Sequence, residues 1–167
     1  MTLPRTATRR AAMAACALAL SATACGGMGT EGRACGPTIR EALDPAYLVH
    51  VVGDGAGVTY SSDPPTSGPH QPAPAVGGMT PEPLAGPVQV GVLERGDILI
   101  QYRPNLQDDD LDELAALADE RVVVAPNSDL ATAIVATAWT AKRSCDSLDI
   151  PSLEGFIRER AGKGPES

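Results

Sequence analysis

Pro64-Pro65-Thr66-Ser67-Gly68-Pro69-His70 is the stretch on which the reading of this chain turns. Its three prolines fix φ and withhold backbone donors, so it is neither a central strand nor a helix interior. Gly68 is its freely rotating joint, and His70 follows directly on Pro69. A stiff loop that ends in an imidazole either places a ligand or is a rigid turn that carries one incidentally. The loop belongs to a longer stretch, residues 61–87, dense in Pro and Gly and without periodicity. Loops of that length inside a compact domain are functional or disordered.

Working outward, Tyr47-Leu48-Val49-His50-Val51-Val52 reads as a strand, and Gly53-Asp54-Gly55-Ala56-Gly57 as a turn into Val58-Thr59-Tyr60. The glycine spacing is not that of a dinucleotide or phosphate loop. On the other side, Val88, Val90 and Val92 alternate with small or polar residues, and Ile98, Ile100 and Tyr102 do the same, so two strands are expected around Glu94-Arg95-Gly96-Asp97. Asp108-Asp109-Asp110 opens an amphipathic helix with Leu111, Leu114 and Leu117 on one face. Acidic groups favour a helix N-terminus through the macrodipole, and the spacing is not that of a calcium loop. Arg121–Ala125 and Ala133–Trp139 read as strands, the alanines of the second leaving a helix as its alternative, and a last helix carries Leu153, Phe156 and Ile157, capped by Asp149 or Ser152 and ended by Gly162. This order predicts a single α+β domain, a mostly antiparallel sheet with two helices packed on one face.

The first 24 residues read as an export signal. Arg5, Arg9 and Arg10 precede an uncharged Ala/Leu-rich run that ends Leu20-Ser21-Ala22-Thr23-Ala24-Cys25. The ending is similar to a bacterial lipobox, which implies cleavage before Cys25 and a diacylglyceryl and palmitate anchor on its thiol. An ordinary secretory cut near Ala24 is the alternative. Residues 25–34 then form a flexible tether, 35–161 the domain, and 162–167 a disordered tail. The expected location is extracytoplasmic, at the cell membrane.

Cysteine use agrees with export. With Cys16 removed and Cys25 lipidated, Cys35 and Cys145 remain, and in an oxidising compartment they most simply form one disulfide. Two separate buried thiols, or Cys35 as a metal ligand, are the other readings. The mature chain of 143 residues has 10 basic and 21 acidic groups, a formal charge of −11. That balance disfavours nucleic acid and anionic headgroups as partners.

Several motifs together resemble the bacterial family called domain of unknown function 3105. They are Tyr60, Pro64 to His70, Leu93-Glu94 with Gly96, Tyr102-Arg103-Pro104, Val123 to Asn127, and Ala136 to Trp139. The family typically writes Val-His-x-Leu-Glu-His-Gly where this chain has Val90-Gly91-Val92-Leu93-Glu94-Arg95-Gly96. Gly91 and Arg95 thus stand at two histidine positions, and Met79 where the family often has an aromatic. The resemblance suggests histidines converging on a transition metal, copper or zinc. Here His70, His50, Met79 and Glu94 remain as candidate ligands, while Gly91 and Arg95 mark a degenerate site. His50, inside a β-branched run, reads more as a half-buried, hydrogen-bonded strand residue than as a ligand. A guanidinium at 95 suggests that its charge replaces the ion, pairing with Glu94 or a nearby Asp and donating to His70.

Two functions follow as expectations. One is a lipid-anchored, non-enzymatic interaction module without a cofactor, working with an envelope protein partner. The other is a metal-binding lipoprotein with a degenerate site for Cu or Zn. A hydrolase built from Ser67 or Thr66, His70 and Asp63 fits poorly, because all lie within eight residues on a stiff loop.

Overall fold

The computed structural model describes residues 1–2, 33–53, 55, 57–72 and 77–167. The export signal beyond residue 2, Cys25 and the tether up to residue 32 lie outside the described residues.

The sheet grows from the most apolar runs. Ile98–Tyr102 (β3), Val122–Pro126 (β4) and Ile134–Ala138 (β5) are buried at every position, as strands covered on both faces must be. β4 lies parallel to β3, with Ile98 opposite Val122, and β5 lies antiparallel on the other side of β3. Ala141–Cys145 (β6) returns antiparallel to β5 through a turn at Trp139-Thr140, where Thr140 takes a left-handed φ of 53°. Ile39–Arg40 (β1) pairs antiparallel with β6, and Gly78–Met79 (β2) lies parallel to β4. The order is β1-β6-β5-β3-β4-β2, a mixed sheet whose edges are only two residues long. Edges that short offer little template for pairing with another chain.

Two helices cover one face, as expected. Asp108–Ala115 (α2) joins β3 to β4 with three aspartates in its first turn. Ile150–Arg160 (α3) is capped by Asp149, whose carboxylate accepts from the Ser152 N–H at 3.0 Å and from its hydroxyl at 2.8 Å. Leu114, Leu153 and Phe156 pack with Ile98, Ile100, Val124 and Ile134 in the larger core.

The other face carries a helix where a strand was expected. Residues Gly86–Glu94 (α1) place Val92 and Leu93 against Leu99, Val123 and Ala125. The alternation of Val88, Val90 and Val92 misleads because α1 is buried on nearly every side, which leaves no apolar stripe at helical spacing. The usable signal is Gly86-Pro87, a proline in the first turn where its missing N–H costs nothing. The α+β class stands, with three helices and a mixed sheet in place of two helices and a mostly antiparallel one.

Three more segments differ from expectation. Residues 45–48 form turns, and Tyr47–Val52 contributes an isolated bridge between His50 and His70, not a strand. β6 escaped notice because Lys142 and Arg143 lie within it, and both are partnered. Lys142 meets Glu41 at 3.2 Å, and Arg143 donates to the Ser152 carbonyl at 2.7 Å and to the Thr38 hydroxyl at 2.8 Å. Residues 162–167, expected as a loose tail, lie along the turn after α1, where the Gly162 N–H donates to the Gly96 carbonyl at 2.8 Å.

The Cys35–Cys145 disulfide closes a separation of 110 residues and joins the start of the domain to β6. Loops of that size gain most from a cross-link, because the unfolded chain loses most freedom. Reduction, or Cys35→Ser with Cys145→Ser, should lower stability by about 2–5 kcal/mol. Urea unfolding with and without a reducing agent measures it.

Candidate functional site

The proline-rich loop cannot be held by a backbone ladder, so side chains hold it. Glu41, just past β1, accepts from the Ser62 and Thr66 hydroxyls at 2.6 Å each. Its other oxygen meets Lys142 Nζ, which also donates to the Asp63 carbonyl at 3.1 Å. The Thr140 N–H donates to the Thr66 carbonyl at 3.0 Å, and the Asp44 N–H donates to Ser67 Oγ at 2.9 Å. Residues 64–68 are buried as a result, and the Asp63–Pro64 peptide is cis.

Tyr60 locks the other side. Its hydroxyl donates to the Pro69 carbonyl at 2.8 Å, and its ring lies between Gly68 and Gly86. A Cβ on Gly86 would sit 2.7 Å from that ring, and Gly68 has a φ of 130°, so neither position accepts a larger residue without strain. Burial and the Asp44 charge push the Tyr60 hydroxyl up to about 12, which keeps it a donor.

The loop so fixed delivers His70. Its N–H donates to the Val49 carbonyl at 3.0 Å, and its carbonyl accepts from the Val51 N–H at 2.7 Å. That pair of bonds sets His50 beside it, with ring centroids 4.8 Å apart and planes at 82°. Nδ1 of His70 lies 3.1 Å from the Gly68 carbonyl and Nε2 lies 2.6 Å from Glu94 Oε2, at the C-terminal end of α1. The ligand atoms of His50, His70 and Glu94 all fall within 4.8 Å of one another. His70 is fully buried, Glu94 nearly so, and His50 is exposed.

The contact at Nε2 is chemically specific. Nδ1 donates to the Gly68 carbonyl, which leaves Nε2 to face the carboxylate oxygen. Nε2 has no hydrogen-bond partner by angle, although the separation is that of a close ion pair. Two acceptors approach this closely only with a positive species between them, a proton or a metal ion. Burial pushes the Glu94 carboxyl above its ordinary value; His70 opposes this, the Glu166 charge adds to it, and His50 opposes it again.

Of the residues singled out in the sequence, His50, His70 and Glu94 converge. Met79 stands on edge strand β2, opposite Val124 and 42% exposed. Gly91 is buried within α1, one turn ahead of Glu94. Arg95 pairs with Asp97, the nearby aspartate, and not with Glu94 or His70. The guanidinium therefore does not stand in for an ion between the histidines. Thr66 and Ser67 are turned to Glu41 and Asp44, so neither hydroxyl faces His70 as a nucleophile would. Glu41, Lys142 and Glu166 passed unnoticed in the sequence, since charged residues far from the loop carry no local mark of their role.

Burial opposes the charge on Glu41, and the hydrogen bonds from Ser62 and Thr66 with the Lys142 charge outweigh it, so its carboxyl lies below the ordinary 4.5. A folded value lowered in this way contributes stability above pH 4.5 that is lost as pH falls toward the folded value. Glu41→Gln should therefore be less stable than the wild type at pH 7, with the gap closing below about pH 4.5. Thermal melts of both proteins from pH 3 to 7 give the comparison.

No curated protein and no solved structure matches the chain. Residues 50–167 match the family model described as "Protein of unknown function (DUF3105)", a span that begins at His50 and takes in His70, Glu94 and the C-terminal segment. With well over half of its residues in that match, the chain belongs to the DUF3105 family.

Proposed function

We propose that this protein is a non-enzymatic, transition-metal-binding module of the extracytoplasmic face, anchored by lipid on Cys25, that takes zinc or copper at His50, His70 and Glu94. One observation carries the reading: a wholly buried imidazole nitrogen, without a hydrogen-bond donor to meet, faces a carboxylate oxygen at 2.6 Å. Two imidazoles and one carboxylate are a donor set that suits zinc, and imidazole suits copper equally. Donor atoms on a tetrahedral zinc lie about 3.3 Å apart, so the pair has to open by roughly 0.7 Å to admit the ion. His50 supports the reading because it is exposed and gives an ion a way in from solvent. The acidic surface favours cations around it.

The 2.6 Å separation favours one other reading, in which a proton stays between Nε2 and Oε2 and the pair is a latch joining the loop to α1. Protein purified from membranes in mild detergent, without a histidine tag, distinguishes the two. Metal binding predicts about one zinc or copper per chain by elemental analysis, and at least tenfold weaker zinc binding in His50→Ala, an exposed site whose substitution spares the fold. A latch predicts no metal in the wild type and a His70→Ala variant that only melts lower. Anchoring is tested separately: Cys25→Ser should move the protein from the membrane fraction to the soluble one.

A further inference from the structure

A cleft of about 780 Å³ opens between residues 58–63, the chain entering α1 and the turn after β4. That volume is within the roughly 300–1,000 Å³ of small-molecule sites. His50, His70 and Glu94 take no part in lining it. Its wall holds the carboxylates of Asp63 and Asp129 and, among the described residues, no Lys or Arg. It also holds two amides, Gln89 on α1 and Asn127 just past β4.

These amides are fixed from inside the fold. Gln101, buried in the middle of β3, donates to Gln89 Oε1 at 3.1 Å and accepts from Asn127 Nδ2 at 2.6 Å. Gln89 Nε2 donates in turn to the Leu84 carbonyl at 2.7 Å, and Asn127 Oδ1 accepts from the Asp129 N–H at 2.9 Å. A backbone acceptor at one end and a backbone donor at the other set the direction of the whole relay, so no amide in it can flip. The relay uses one N–H and one lone pair of Gln89 and of Asn127, and leaves each a second of both at the cleft wall. A hydroxyl suits such a wall, because one atom donates to a carboxylate and accepts from an amide N–H. An ammonium group leaves the amide donors unmet, and the two aspartates repel an anion. We infer that this cleft binds a neutral saccharide, its hydroxyls donating to Asp63 and Asp129 and accepting from Gln89 and Asn127. The site is separate from the metal centre and does not rest on it.

Full-length protein, purified in a detergent without a sugar headgroup, tests this by saturation-transfer NMR with maltose, cellobiose and N,N′-diacetylchitobiose. At least one of the three should bind, and spermidine, a cationic competitor, should not displace it. Asp63→Ala and Asp129→Ala, both at exposed positions, should each weaken that binding roughly fivefold or more. Asp109→Ala, which removes the same charge from an exposed position on α2, should leave it unchanged. Wild-type affinity in either cleft variant overturns the inference, as does an equal loss in Asp109→Ala, which would mark a mere charge effect. Silence from all three saccharides, or their displacement by spermidine, overturns it as well.

Discussion

The Glu41 carboxylate, set among Ser62, Thr66 and Lys142, is the interaction from which the rest of this structure follows. A segment with three prolines cannot be stitched to a sheet by its own amides, so it needs partners from elsewhere in the chain. Hydrogen bonds to a charged group contribute roughly 1.5–3 kcal/mol each, more than neutral ones, which suits a loop with few bonds of its own. Glu41 comes from beside the edge strand β1, Lys142 from β6 and the Thr140 amide from the β5–β6 turn. One carboxylate thus draws the loop onto the end of the sheet where β1 and β6 meet. Only with the loop in that place can His70 bond to the backbone on both sides of His50.

From there the geometry is cumulative. The backbone bridge sets the two imidazoles edge to face, and the Gly68 carbonyl engages Nδ1 and so aims Nε2. α1 then supplies Glu94 from the opposite direction. Tyr60, pressed between two glycines, sets the spacing between loop and helix. No element supplies more than one donor, so the convergence is a product of the whole fold and not of a local motif.

This explains what could and could not be read in advance. β3 and β4 were legible because fully buried β-branched runs have few other uses, β5 only in part because its alanines suit a helix as well, and α2 and α3 because each keeps one polar face and an acidic or capped start. α1 was not, since burial on almost every side erases the helical period. His70 and Glu94 were visible as residue types, yet their meeting depends on α1 being a helix. Arg95 illustrates the same limit: from the sequence it competes for the histidines, whereas at the end of a helix it turns to Asp97. Glu41 carries no motif at all, and its importance appears only when the proline-rich loop and β6, both distant in sequence, come together around it.

The disulfide has a mechanical consequence. Cys35 is the first residue of the domain to join the sheet, through a bridge to Cys145 as well as the covalent link. Any tension applied through the chain ahead of it is therefore carried across to β6, itself held along its length by β5. The two-residue β1, and Glu41 just after it, lie behind that point, so the pull does not run along the chain through them and reaches them only by way of β6. A domain tugged from its N-terminal side would keep its proline-rich loop seated, because the line of force along the chain bypasses the one carboxylate that seats it.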